Sequence, residues 1–312
     1  MSEAFILAAV RTPVGIGKPG RKLSSISPVD LGAFILQAAV DRSGIAPELI
    51  DDVIWGCVTQ IGDQGANLAR LSALKAGFPV SVPAVTINRM CGSSQQAIHF
   101  AVQAILSGDM DLVIAGGTEM MSHQPIGSDW PPEWPNDFPY ELVHQGKSAE
   151  LIAQKWSLSR ESLDDYAYES HRRAMIAIQS GFFSKQIIPV ALQDGSTMQV
   201  DEGVRQPPDR QKMAALQPAF ELDGVVTAGN SSQISDGASA VVLASPKIVG
   251  RYNLHPRARV LSRFVVGSNP VLMLDGPIQA SRSILSRSGT SLVRMDVFEF
   301  NEAFASVVLA WQ

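Results

Sequence analysis

One stretch constrains this chain more than any other: Thr86-Ile87-Asn88-Arg89-Met90-Cys91-Gly92-Ser93-Ser94. The apolar run Val82–Ile87 reads as a short buried strand. The run Gln95–Leu106 reads as a helix that stops at Ser107-Gly108. Cys91 falls at the junction. Gly92 permits a tight bend there, and Ser93 and Ser94 are residue types that cap a helix start. A thiol at a helix N-terminus faces the positive end of the helix dipole, which favours thiolate over thiol. The strand–turn–nucleophile–helix plan has the mechanics of a nucleophile elbow. A cysteine in a helix context is also often a buried core residue, and the stretch alone leaves both readings open.

The chain has 312 residues, 46% hydrophobic and 18% charged, enough to bury a large core in one large or two ordinary domains. A net charge of −5 gives no basic footprint, so nucleic acid is not an expected partner. A phosphorylated ligand could still be held by a few local cations. The two cysteines, Cys57 and Cys91, fit a reducing compartment rather than a disulfide framework, and a cytoplasmic location is expected. The N-terminal apolar run reads as a first strand, not a signal peptide. No stretch approaches the ~18 apolar residues of a membrane span.

Along the chain, residues 4–10 read as a strand. Ser27-Pro28 gives an N-cap followed by proline at the first helical position, and Gly44 closes that helix. Asp52–Cys57 and Leu112–Ala115 read as further strands, with a short helix over Asn67–Ala76. Strand–helix–strand order with continuous apolar runs predicts a parallel or mixed sheet covered on both faces. Residues 1–118 are therefore expected to form an α/β half carrying Cys91. Residues 119–240 read as a loop-and-helix insertion. It holds a proline-rich loop over 125–139, a helical region over 146–180 with a fresh start at Ser159-x-x-Ser162, and a polar segment over 204–212. Residues 241–312 read as a second α/β half. Strands are expected at Ala240–Ala244, Ala258–Val266 and Val297–Phe300, with a helix over Pro277–Ser288 bounded by Gly289. Phe304, Val307, Val308 and Trp311 form an apolar stripe at helical spacing that needs a partner, so this second half is expected to be incomplete in the chain.

Five segments, in order, resemble the thiolase family, which makes or cleaves the carbon–carbon bond of 3-ketoacyl-CoA. They are Ala9–Gly15, Asn88–Ser94, Ala115–Ser122, Val225–Ser232 with Ser235–Ala238, and Asn301–Ala305. The resemblance implies an α/β thiolase-like fold with two similar layered halves (αβαβα), the second one truncated. It implies that Cys91 is the nucleophile that takes the acyl group and that Asn301 holds a water in the oxyanion hole. It also implies that His144, Phe220 and Ser232 line the pantetheine tunnel, with Arg205 near the adenosine end. Coenzyme A is then a substrate, and no cofactor is implied. Bland alternatives stand beside these roles. His144 could be a plain helix-start residue, Arg205 a solvated surface charge, Ser232 a helix N-cap, and Asn301 a cap for the last helix. His99 reads as a core residue. His123, His171 and His255 lack metal-ligand spacing, and no metal is expected.

The family's Gly-His-Pro and Cys-x-Gly segments should follow Asn301 by some tens of residues, and these 312 residues contain neither. In the family the histidine activates the nucleophile and the second cysteine carries the proton. Gln217 also stands where a basic residue is usual. The expected function is thiolytic cleavage of 3-ketoacyl-CoA, or the reverse condensation, through an acyl-cysteine. A non-catalytic CoA-binding or scaffold protein is the alternative from another class. The loop over 122–139 leans towards the degradative subgroup. The stretch Gly62–Asn67 resembles a subunit-contact loop, so a homodimer or homotetramer is expected.

Overall fold

The computed structural model describes residues 3–312. In chain order the elements are β1 (Phe5–Arg11), β2 (Gly15–Ile16), α1 (Pro28–Ser43), β3 (Asp52–Gly56), α2 (Leu68–Lys75), β4 (Ala84–Ile87), α3 (Ser93–Ser107) and β5 (Leu112–Met120). There follow α4 (Gln145–Lys155), α5 (Arg160–Gln179), β6 (Val190–Ala191), β7 (Thr197–Met198), α6 (Arg210–Ala214) and β8 (Ser235–Ala244). The last are α7 (Pro246–Arg251), β9 (Ala258–Arg259), α8 (Gly276–Ser288) and α9 (Ala305–Trp311). The chain forms two compact units. One comprises the residues up to Trp130 with Gly181–Gly203 and Ile234–Val260; the other comprises Pro131–Ser180, Val204–Gln233 and Leu261–Gln312.

The first unit is built on a sheet of order β4-β3-β5-β8-β1-β9, with β2 paired to β8. β3 runs parallel to β4 and β5, while β8 is antiparallel to both β5 and β1. Side-chain alternation splits the core in two. Val53 and Trp55 of β3, and Leu112 and Ile114 of β5, face a cluster with Leu31, Ile35 and Leu36 of α1. Ile54, Val113 and Ala115 face the opposite cluster with Ala97, Ala101 and Val102 of α3. The mixed, doubly covered sheet is the expected one. The helix signals also hold: Ser27 caps α1 through the Asp30 amide, and Gly44 closes it in the left-handed region.

Strand partners differ from the expectation. The segment 240–244, read as opening a second half, is the end of the ten-residue β8 and lies between β5 and β1. An apolar pattern specifies a strand but not its neighbours. In the second unit, residues 297–300 belong to no strand; Phe298 and Phe300 pack on the Trp311 ring instead, with centroids 5.1 and 4.3 Å away. Of the expected strand 258–266 only Ala258–Arg259 pairs, and it pairs with β1. The second unit is held by a cluster of Ala149 and Ile152 from α4, Leu163 from α5, Val226, Phe304 and Val307.

Within the first unit, His123 pins the loop at Asp63. Its Nδ1 lies 2.6 Å from Asp63 Oδ2, and its Nε2 lies 2.8 Å from the Ser24 carbonyl. Two acceptors on one ring call for the imidazolium. Burial works to lower the His123 pKa, but the Asp63 carboxylate and the Ser24 carbonyl, with Asp236 beyond them, outweigh it and raise it. Burial likewise works to raise the Asp63 pKa, and the Gln124 and His123 contacts outweigh it and lower it. The histidine contribution to stability is therefore full below about 6.5, the ordinary histidine value, and fades as pH rises through the raised pKa of His123. The aspartate contribution is present above about 3.9 and fades as pH falls through the lowered pKa of Asp63. We expect Asp63→Asn to lower the melting temperature at pH 5–6 and to have a smaller effect at pH 9. An equal effect at both pH values would contradict the imidazolium assignment.

Candidate active site

The parallel pairing of β3 with β4 and β5 stops at Gly56, Ile87 and Gly117, while β5 runs on to Met120 beside β8. The first turn of α3 sits directly on these ends, and glycine makes that approach possible. A Cβ on Gly56 would lie 2.4 Å from the Ser94 amide nitrogen, and one on Gly117 would lie 2.1 Å from Ser94 Oγ. Behind them, a Cβ on Gly116 would meet the Ser239 carbonyl at 2.1 Å and the Trp55 ring at 2.7 Å. The Trp55 indole is buried and satisfied, donating to Thr118 Oγ1 at 3.0 Å.

The turn that carries Cys91 is fixed by side chains bonded to backbone. Met90 has φ +47, in the left-handed region that a non-glycine residue rarely adopts. Asn88 Oδ1 holds it there by accepting the Met90 amide at 2.7 Å. Ser93 Oγ accepts the Arg89 amide at 2.9 Å and donates to the Met90 carbonyl at 2.6 Å. Ser93 thus braces the turn instead of capping the helix: the N-cap is Gly92, with no side-chain cap bond. Serine at a glycine-led junction has two uses, and the sequence does not separate them.

The two cysteines are opposites. Cys91 is exposed and free, one residue ahead of the N-cap of α3. Cys57 is 1% exposed, and burial, followed by the neighbouring Glu119 charge, pushes its thiol pKa up, which keeps it inert. The reading of Cys91 as a buried core residue is therefore excluded.

The remaining candidates lie in the second unit. His144 is the N-cap of α4, its Nδ1 accepting the Gly146 amide at 3.1 Å, and its ring stacks on Phe220 with centroids 5.4 Å apart. Phe220 in turn meets Phe304 edge-on at 5.8 Å. Gly146 leaves room for the Phe220 ring, since a Cβ there would lie 2.1 Å from it. Ser232 is exposed and donates its amide to the Ala303 carbonyl at 2.9 Å; no helix starts at Ser232, so the N-cap reading fails. Asn301 is exposed and does not cap α9, whose N-cap is Phe304. Arg205 is also exposed, and its backbone amide donates to His171 Nδ1 at 3.3 Å. His144, Phe220 and Phe304 therefore form one aromatic group, and Ser232 is tied to the Asn301 segment, while Arg205 is tied to His171.

Several supporting residues escaped the sequence reading. Glu150, 6% exposed on α4, accepts the Val225 and Val226 amides at 2.9 Å each. Asn230 donates to Asp164 of α5 at 2.8 Å and accepts the Thr227 amide at 2.9 Å. Its carbonyl accepts the Ala305 amide at 2.9 Å. Tyr166 and Ser170, one turn apart on α5, donate to the two oxygens of Glu302 at 2.5 and 2.6 Å. The available signal was the i, i+4 spacing of Tyr166 and Ser170, which places both on one helix face. Among the described residues no group of three or more His, Cys, Asp or Glu side chains could hold a metal.

An exposed cysteine at a strand–helix junction of a mixed, helix-covered sheet is the geometry of an α/β protein that presents a thiol, and comparison with known proteins supplies its family. The thiolase N-terminal domain model matches residues 4–247 and the thiolase C-terminal domain model matches residues 254–312. The chain belongs to the thiolase family of acyltransferases. It is 46% identical to the steroid 3-ketoacyl-CoA thiolase FadA6 of Mycobacterium tuberculosis, over 100% of this chain and 79% of that protein. It is 41% identical to a 3-ketoacyl-CoA thiolase of Yersinia pestis, over 99% of this chain and 82% of that protein. A crystal structure of the Bacillus anthracis acetyl-CoA acetyltransferase superposes with a TM-score of 0.91 at 37% identity, covering 100% of this chain and 82% of that one.

The close approach at Gly117 has a measurable consequence. Gly117→Ala should cost about 1–3 kcal/mol, the range for overpacking, read as a lowered urea midpoint at unchanged slope. A wild-type midpoint would show that α3 does not rest on the strand ends.

Proposed function

We propose that Cys91 is the acyl acceptor in thiolysis of a 3-ketoacyl-CoA, and the observation that carries this reading is its exposed thiol on a braced turn at the start of α3. The Cys91 thiolate attacks the 3-keto carbon. The bond between C2 and C3 breaks, its electron pair leaves as the enolate of acetyl-CoA, and a proton completes that product. The thiolate of free CoA then attacks the acyl-cysteine, which releases the shortened acyl-CoA and restores the Cys91 thiolate. Asn301 serves the developing enolate oxygen through a bound water. His144, Phe220 and Ser232 hold the pantetheine arm, and Arg205 serves the adenosine end. The degradative direction is favoured by the names of the relatives at 41–46% identity. Coenzyme A enters as a substrate and no cofactor is required. The histidine and second cysteine that the resemblance implies as base and proton carrier do not follow Asn301 within these 312 residues.

A homo-oligomer is part of the same reading. β4 is an edge strand of the sheet, and around it Leu71 and Leu74 of α2, Val80 and Val85 expose large apolar side chains. An open apolar edge of this kind is a pairing surface for a second copy. A cytoplasmic location fits the two unpaired cysteines; no helix of the described residues is long and apolar enough to cross a membrane.

Incubation with acetyl-CoA should add one acetyl group to the intact protein. Cys91→Ala should abolish the adduct and Cys57→Ala should retain it; an adduct that survives in Cys91→Ala would sink the assignment. Val85→Lys should shift sedimentation of the oligomer towards the monomer, and an unchanged sedimentation coefficient would remove β4 from the interface.

A further inference from the structure

Glu119 lies at the end of β5, and its side chain is the start of a continuous line of hydrogen bonds that ends at the nucleophile turn. Its two carboxylate oxygens accept successive backbone amides, Val58 at 2.6 Å and Thr59 at 3.3 Å. Gln64, fully buried, donates to Glu119 at 3.0 Å and to the Thr59 carbonyl at 2.9 Å, and accepts the Met120 amide at 2.7 Å. These bonds fix the loop after β3. The Val58 carbonyl of that loop accepts Asn88 Nδ2 at 2.9 Å, and Asn88 Oδ1 accepts the amide of Met90. Each partner in the line is therefore bonded on both sides, from Glu119 through Val58 and Asn88 to Met90, the residue before Cys91. A second strand-end bond, from the Cys57 amide to the Ile87 carbonyl at 3.1 Å, holds the same two loops in register.

The turn needs such a buttress. Met90 sits at φ +47, which a residue with a side chain holds only when its surroundings impose it. Asn88 is exposed, so on its own it would exchange its bonds with water. Anchoring the Val58 carbonyl against Glu119 gives the Asn88 amide a fixed acceptor, and the orientation of Asn88 in turn fixes Met90.

We propose that Glu119 is a positioning residue for Cys91, acting through Val58 and Asn88 to hold the strained Met90 turn in the one orientation that presents the thiol to an acyl thioester. The inference rests on the acyl-transfer reading and adds to it a residue that touches neither substrate nor nucleophile. Acyl transfer is sensitive to the approach of sulfur to the thioester carbonyl, whereas alkylation by a small haloacetamide is far less demanding. A displaced turn should separate the two rates.

The test uses Glu119→Gln, Asn88→Ala and the double variant. Glu119→Gln keeps the size of the side chain but replaces one acceptor oxygen with a donor facing Val58 or Thr59. Asn88→Ala changes an exposed turn residue and should leave the fold intact. The rate of Cys91 acetylation by acetyl-CoA should fall about tenfold in each single variant. It should fall no further in the double variant, because both changes break one line. Alkylation of Cys91 by iodoacetamide should stay within about twofold of wild type, on the same geometric argument. Acetylation at the wild-type rate in either single variant would overturn the proposal, as would multiplied losses in the double variant. If wild-type protein is not acetylated at all, the acyl-transfer reading fails separately. The buttress is then judged by amide hydrogen exchange over residues 88–93. Faster exchange in Glu119→Gln upholds the line, and unchanged exchange overturns it.

Discussion

The first turn of α3 rests on the end of β3 and on β5 beside it because Gly56 and Gly117 have no side chains to hold it away. The organisation of the first unit's site depends on that contact. It brings a helix N-terminus, with its positive dipole end, to the strand ends where a reactive group can be exposed without leaving the core unfilled. The turn between β4 and α3 then has to be short. Met90 lies in the left-handed region within it, and Asn88 and Ser93 stabilise it there. Exposure of Cys91 and inertness of Cys57 follow from the same arrangement: one thiol lies on the turn, the other under it beside Glu119.

The second unit solves a different problem, holding an exposed polar segment still. Glu302 is gripped by Tyr166 and Ser170 of α5, while Asp164 of the same helix holds Asn230. The carbonyl of Asn230 binds Ala305, and the amide of Ser232 binds the Ala303 carbonyl. Asn301 therefore precedes a segment that α5 holds through Glu302 and, by way of Asn230, at Ala305, with Phe304 and Ala305 buried in the hydrophobic cluster. Burial and the Glu302 carboxylate raise the Tyr166 pKa, which keeps its hydroxyl a donor at neutral pH.

Local signals were legible where one residue type has one use. Ser27-Pro28, Gly44, Ser159 and Gly108 mark helix ends in the sequence and do so in the structure. Cys91 stood out because glycine, serines and a strand–helix junction converge on it. Pairing was less legible: the apolar pattern of 240–244 says strand, but its neighbours β1 and β5 lie far away in the chain. Ser93 carries the pattern of a cap because serine caps helices often, yet it braces a turn, and the cap alternative for Ser232 fails because no helix starts there. Glu119, Glu150 and Asn230 left little trace in the sequence. Their roles come from backbone amides that the fold brings within reach, and a lone acid on a strand or helix, or a lone amide in a loop, carries no spacing to reveal it.

The central claim is that the turn after β4 presents Cys91 as the acyl acceptor. The most direct measurement is a crystal structure of the protein soaked with an acyl-CoA. The account requires continuous density from Cys91 Sγ into an acyl carbonyl, with the Met90 turn unchanged and Cys57 unmodified. An acyl group on any other side chain, or an unmodified Cys91 with intact acyl-CoA bound beside it, would contradict it.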